Sequence, residues 1–403
     1  MTTRSPEVIG ERSPLLFWVI CAVASEDDFR AQLAPRVKQL VLNTISSPVH
    51  SVETVQALLL LCLWPFRASF RSDDPSYFYS GLATQIGMLL GLHRPAQTHA
   101  YRHEWDSHPV PGFRVKTTTW LACFVINHQL AYFNGVPPSL VADTQLLAML
   151  NEPTVNPTLA QLCRIYCLLA QSLKEISCDG VHPSGLQDPS TRMQMIQRFT
   201  AQLTALRTTH LEPMNDMIKV VFLHARIQVH SFALHDDMSP SPELRGVLID
   251  LENDSCDLID LCHDMNLAVA PNHFWLAVAY CGCVIVRILQ SPLCTQRETL
   301  EDKFTTMQQA LRSVAASNDD MSIKAVLVLQ ALRVFKDIKQ TPPILSRMSA
   351  WISYDCRRIY WENWTRNGFG QHPIAGRPSI ELVQEIPFSN SASVTENAFV
   401  WQT

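Results

Sequence analysis

The stretch whose reading decides the fold is DPSYFYSGLATQIGMLLGLHRP, residues 74–95. Asp74 followed by Pro75 reads as a helix start, because an Asp side chain accepts from free backbone N–H groups and proline is tolerated in the first turn. Gly91, followed by Leu92, His93, Arg94 and Pro95, reads as a stop, since glycine takes the left-handed cap and proline cannot continue a helix. Between these signals Phe78, Leu82, Ile86 and Leu89 recur at helical spacing and predict one apolar stripe. Gly81, Ala83 and Gly87 lie in the same segment. Glycine inside a helix costs about 1 kcal/mol relative to alanine, so a closely packed neighbouring helix is expected.

Working outward, Ser51 is placed to cap a preceding helix, Glu53 sits in its positive first turn, and Val55 to Leu63 is almost wholly apolar until Pro65. On the other side, Thr117 to Phe133 carries Trp120, Leu121, Phe124 and Leu130, and Gly135, Pro137 and Pro138 end it. Three helices, the second between two more apolar ones, are predicted to form one packed unit.

These residues carry a resemblance. SVETVQALLLLCLWPF (51–66), YFYSGLATQIGMLLGLHRP (77–95) and TTTWLACFVINHQLAYFNGVPPS (117–139) resemble the middle homology region of fungal zinc-cluster transcription factors. The match looks nearest to the branch containing the leucine-pathway and weak-acid-response regulators. It begins at SPLLFWVICAVAS (13–25) and covers most of residues 13–139, with a motif core at 51–139. Two features depart from the family pattern. Family members carry a run of arginines before the tryptophan, where this chain has Phe113, Arg114, Val115 and Lys116. The six-cysteine zinc cluster that reads DNA is absent from this sequence, as in a fragment, a truncated gene reading, or a factor without its reader.

Composition agrees with a folded chain. Of 403 residues 47% are hydrophobic and 17% charged, enough to bury a large core. A net charge of −5 with no basic run gives nucleic acid nothing to adhere to directly. The chain holds 12 cysteines. Cys62, Cys123, Cys163 and Cys167 fall in apolar helical segments, and neither Cys281-x-Cys283 nor Cys256 with Cys262 fits a zinc site, so reduced thiols in an intracellular compartment are expected. Leu15 to Val23 with Ala22-Val23-Ala24 offers a signal-peptide alternative, but Glu7 and Glu11 offset Arg4 and Arg12 and remove the required positive lead. Phe274 to Val286, the longest apolar run, falls short of the roughly 18 residues a bilayer needs and is expected to be a buried helix.

Helical periodicity recurs at 159–176, 195–211, 217–234, 244–265, 274–289, 300–314, 323–335 and 346–364, and almost nothing alternates at period two. The expected fold is all-α, a large multi-helix bundle of irregular, superhelical arrangement. Residues 1–14 are expected to fray, 15–365 to form one helical domain, and 366–403 to be an acidic and aromatic tail. That tail places Glu381, Glu385 and Glu396 among Leu382, Ile386, Phe388, Phe399 and Trp401, which suits either an activation segment or a strap on the helical body.

Candidate chemistry is sparse. His93, His99, His103, Glu104 and His108 cluster near the central stretch, but His103-Glu104 is followed by His108 one residue too late for H-E-x-x-H. Arg94 is expected to pair with Glu104 or Asp106 and pin this loop. A terpene-synthase-like enzyme would need D-D-x-x-D and N-D-x-x-S-x-x-x-E, and Asp236-Asp237, Asn253-Asp254 and Asp319-Asp320 complete neither ligand set. Asn127, His128 and Arg226 stand on apolar helices, either satisfied within the core or lining an effector cavity.

No catalytic, cofactor or metal residue is therefore expected in this chain. Arg94, Glu104, Arg114 and Trp120 are expected to fix the interface of the central helix. The resemblance implies a nuclear regulator of RNA polymerase II genes. In it zinc and DNA contact belong to the full-length family member, this domain gates activity, and a homodimer, a coactivator or corepressor and a small-molecule effector are the expected partners, with no membrane. An all-α enzyme or binding protein, or a reader-less relative that titrates full-length factors, are the alternatives.

Overall fold

Side-chain caps set many of the helix starts: Ser13, Ser51, Asp143, Asp188, Asn215 and Ser241 each accept from a backbone N–H of the turn that follows. The computed structural model describes residues 6–47, 50–101, 112–177, 185–334 and 349–366, with side chains described to residue 363. Among these residues the chain is all-α, without a strand. The helices are α1 (Pro6–Arg12), α2 (Pro14–Ala24), α3 (Asp27–Ile45), α4 (Val52–Leu63), α5 (Ser76–Leu89), α6 (Phe113–Asn134), α7 (Thr144–Met149) and α8 (Pro157–Ser177). They continue as α9 (Pro189–Leu206), α10 (Asp216–Ser231), α11 (Pro242–His263), α12 (His273–Gln290), α13 (Arg297–Ser313), α14 (Met321–Val334) and α15 (Trp351–Arg366).

Neighbours in sequence are mostly neighbours in space. α2 packs on α3 and α4, and α4, α5 and α6 pack against one another. α6 then meets α8, α8 meets α9 and α10, and α10, α11 and α12 lead to α13, α14 and α15. One cluster of buried apolar side chains runs from Leu15 to Tyr360, so the family-like first part and the later helices share a core. Helix α12 is 18 residues long and apolar enough by composition to cross a bilayer, but 83% of it is buried against its neighbours. Arg287, which follows the apolar run ending at Val286, is itself buried in this helix and reaches Asp355 at 3.7 Å.

Two expectations need correction. Residues 6–12, expected to fray, form α1, and Arg12 at its end pairs with Glu53 on α4 at 2.6 Å. Only half of the apolar stripe of α5 lies on its buried face: Ile86 is buried and Leu82 packs on the core, but Phe78 and Leu89 do not. Phe78 is 62% exposed and Leu89 67%, whereas Ser76, Ser80, Ala83, Thr84, Ile86 and Gly87 turn inward. The physical reason is close approach: small side chains let α4 and α6 come near, and the buried hydroxyls are satisfied locally, as where Thr84 donates to the Ser80 carbonyl at 2.9 Å. The tail at 367–403 lies outside the described residues.

Candidate functional site

The α5 to α6 connection is built around a glycine that only glycine can fill. Gly91 has φ 68°, and a Cβ there would stand 2.7 Å from the Tyr101 ring. The turn brings His93 beside Tyr101 and Trp120, with ring centroids 5.0 and 5.7 Å away. Burial and the neighbouring Arg94 push the His93 imidazole below its ordinary value, partly opposed by Asp143. Trp120, buried on α6, presses its ring on α5, where a Cβ added to Gly87 would meet it at 3.3 Å. Gln56 of α4 completes the unit by donating to the Thr119 hydroxyl at 3.0 Å.

The described part of the loop is pinned by residues distant in sequence. Arg94 pairs with Asp143, 49 positions away, at 2.9 Å. Glu104 and Asp106, its expected partners, lie with His103 and His108 outside the described residues. Burial raises the Asp143 carboxyl, but the Leu146 N–H and Arg94 outweigh this and hold it below its usual value. The interior pin is Lys116, which donates to the Pro95 carbonyl at 2.6 Å and the Thr98 hydroxyl at 2.7 Å. Arg114, expected at the interface, is instead solvent-exposed on the first turn of α6, because the inward face of that turn belongs to Lys116 and Thr117.

Asn127, His128 and Arg226 are each engaged by the protein. Asn127 accepts from the Ser139 and Leu140 N–H groups at 2.9 and 3.2 Å, tying the Pro-Pro segment to α6. His128 contacts the Phe124 carbonyl through Nδ1 at 2.9 Å, and burial pushes its imidazole down to about 4. Arg226 donates to Asp254 at 3.0 Å. Asp254 also faces His230 at 3.3 Å, so this acidic residue serves an ion pair inside the helix layer. No group of three or more metal-ligating side chains occurs among the described residues.

Sequence reasoning missed the segment after α4. Trp64 donates through its indole N–H to the Val269 carbonyl at 3.0 Å, and the Asn272 N–H donates to the Leu63 carbonyl at 2.7 Å. Arg67 pairs with Asp27 at 2.7 Å and with Asp320 at 2.6 Å. Lys324 donates to the Ser69 carbonyl at 2.8 Å and stands 4.2 Å from the centre of the Phe70 ring. Residues 64–70 are thus clamped between α3 and the α11–α14 layer. The one local signal is the composition WPFRASF after a proline break; partners more than 200 positions away leave no periodic trace.

Comparison with known proteins agrees with this geometry. Residues 10–159, which contain α2 to α7, match the family described as "Fungal specific transcription factor domain". The chain is similar to the transcriptional regulatory protein SEF1 of Candida albicans, 30% identical over 247 residues that make up 57% of this chain and 26% of that protein. It is also similar to the putative transcription factor SEF1 of Saccharomyces cerevisiae, 24% identical over 87% of this chain and 33% of that protein. Regulatory protein LEU3 of Saccharomyces cerevisiae is 24% identical over 59% of this chain and 30% of its own length. The chain spans about a quarter to a third of these relatives. No solved structure matches. With the packed α4–α6 unit lying inside the matched region, residues 10–159 carry the fungal specific transcription factor domain, and the chain is similar to fungal transcription factors.

Proposed function

We propose that this chain is the regulatory domain of a fungal RNA polymerase II transcription factor and gates its activity through effector or partner binding. Its setting is the nucleus. Sequence-specific contact with DNA comes through a zinc cluster as in full-length family members, and the domain works with a coactivator or corepressor, as a homodimer, without reaction chemistry of its own.

The observation that supports this reading is the clamp on residues 64–70. It joins the family-matched helices to α11–α14, which lie beyond the match, through charged and polar contacts as well as a shared core. A regulatory element needs two packings that a ligand or partner binds unequally, and a polar seam between two helix layers is where such packings differ least in energy.

The test is a reporter driven by the chain fused to a heterologous DNA-binding domain. Arg67→Ala and Lys324→Ala are expected to shift output in the same direction while the chain stays folded. Unchanged output in both, with the seam shown to be loosened by hydrogen exchange, overturns the gating role. A gel shift with the chain alone is expected to show no sequence-specific complex, given its net charge of −5.

A further inference from the structure

The seam between the two layers encloses a half-open cleft of about 80 Å³. One wall comes from α3 and the residues after α4, the other from the α11–α12 turn and the start of α14. Five charged side chains line it: Asp27, Arg30, Arg67, Asp74 and Asp320. Arg67 is paired with both Asp27 and Asp320. That leaves one cation and one anion without an ion pair among the described residues.

The cation is Arg30. Its Nη2 donates to the Trp64 and Pro65 carbonyls, and its Nε is buried with no hydrogen-bond partner. The anion is Asp74, whose Oδ1 accepts from the Ser76 N–H at 2.9 Å while Oδ2 accepts from no described residue. A third unused group is the Ser322 hydroxyl in the first turn of α14. It is buried, with Ser322 only 3% exposed, and has no partner. The indoles of Trp64 and Trp275 also line the cleft, and their N–H groups are already bonded to Val269 and Asn272.

Buried polar groups without partners are uncommon, and Arg30 and Ser322, which carry two of them, line the same small volume as Asp74. A guanidinium N–H, a hydroxyl and a helix N-terminus all favour a carboxylate. Asp74 favours an ammonium. A ligand with only one of these charges would leave the opposing group uncompensated in a partly closed space, which is costly. The size sets the scale: at about 10–15 Å³ for each water, the cleft holds about five to eight, close to the heavy-atom count of glycine, alanine or serine.

We propose that this cleft binds a small free amino acid, its carboxylate held by Arg30 and Ser322, its ammonium by Asp74, and its side chain against the two indoles. Binding would bridge the family-matched helices and the layer beyond them. That occupancy alters transcription rests on the regulatory reading above; that the cleft binds does not.

The test is calorimetric titration of the purified chain with glycine, L-alanine and L-serine, followed by L-alaninamide and N-acetyl-L-alanine, which lack one charge each. At least one of the free amino acids is expected to bind saturably, and removing either charge to weaken binding by about tenfold or more. Arg30→Gln and Asp74→Asn are expected to do the same, the latter keeping an oxygen for the Ser76 N–H. Because the ligand series uses the unaltered chain, a variant that fails to fold does not decide the matter. No saturable binding of any of the three amino acids, or binding of the amide and the acetylated form as tight as that of L-alanine, overturns the site. L-Alanine binding without a change in the reporter supports the site and removes the regulatory reading. A reporter response to L-alanine that survives both substitutions removes the site and leaves that reading.

Discussion

Lys116 holds the Pro95 carbonyl from inside the domain: the two atoms are 2.6 Å apart, and the lysine is 6% exposed. It makes no ion pair among the described residues, and burial lowers its ammonium from the ordinary value. The charge is therefore supported by one carbonyl and one hydroxyl on the loop that carries the Gly-Leu-His-Arg-Pro signature.

Replacing Lys116 with Met keeps the aliphatic stem and removes the donor. Stability should fall by about 1.5–3 kcal/mol, the range for hydrogen bonds to charged groups. Urea denaturation measures this, and hydrogen exchange should place the loss at residues 95–98.

The Arg94 to Asp143 pair should matter less. Its side chains are 34% and 47% exposed, so Arg94→Ala is expected to cost no more than about 1 kcal/mol. Asp143→Ala should cost more, about 1–2 kcal/mol, because the same carboxylate caps α7 through the Leu146 N–H at 2.8 Å. Equal losses in the two variants would show that the cap contributes nothing.

Two glycines of α5 should respond oppositely to alanine. Nothing lies within 4 Å of a Cβ at Gly81, so Gly81→Ala should stabilise by about 0.5–1 kcal/mol through helix propensity. At Gly87 the Trp120 ring stands 3.3 Å away and is locked by packing, so the same change should give no gain or a loss. Thermal melting of both variants tests the pair.

Acid should weaken the fold well before its carboxylates titrate. Burial lowers His128 to about 4 and His224 and His273 to about 3, from an ordinary 6.5. A depressed histidine is neutral in the fold but protonated in the unfolded chain below pH 6.5, so stability falls as pH drops from there toward the folded values. Each contributes a loss of about 2 kcal/mol at pH 5. His224 lies between Phe133 and Tyr280, with centroids 5.2 and 5.3 Å away, so His224→Phe should flatten the pH dependence of urea stability between pH 7 and 5. An unchanged slope would exclude His224 as a source.

Much of the architecture is legible in the chain itself. The predicted helices at 244–265, 274–289 and 300–314 correspond to α11, α12 and α13 within a few residues, because caps and 3.6-residue periodicity are local. Ser51 and Gly135 act as the expected helix ends. The orientation of α5 is legible only in part: Ile86 and Leu82 of its stripe meet the core and Phe78 and Leu89 do not, since nothing local says that the hydroxyl-bearing face is the one α4 and α6 approach. The partner of Arg94 and the seam at Arg67 were hidden for a different reason, since Asp143 and Asp320 are brought close only by tertiary packing. Trp120 packs on Gly87 of α5, as suits an indole on an apolar helix beside a glycine-bearing one.

The seam also bears on how the protein is made. Trp64 finds Val269, Arg67 finds Asp320 and Lys324 finds Ser69 across separations of 205, 253 and 255 positions. On a ribosome, the residues following α4 emerge long before their partners and must wait, unclamped, while more than half of the chain is synthesised. A fragment cut at residue 159, the limit of the family match, would keep the α4–α6 trio yet expose Trp64 and Phe70 permanently, inviting aggregation.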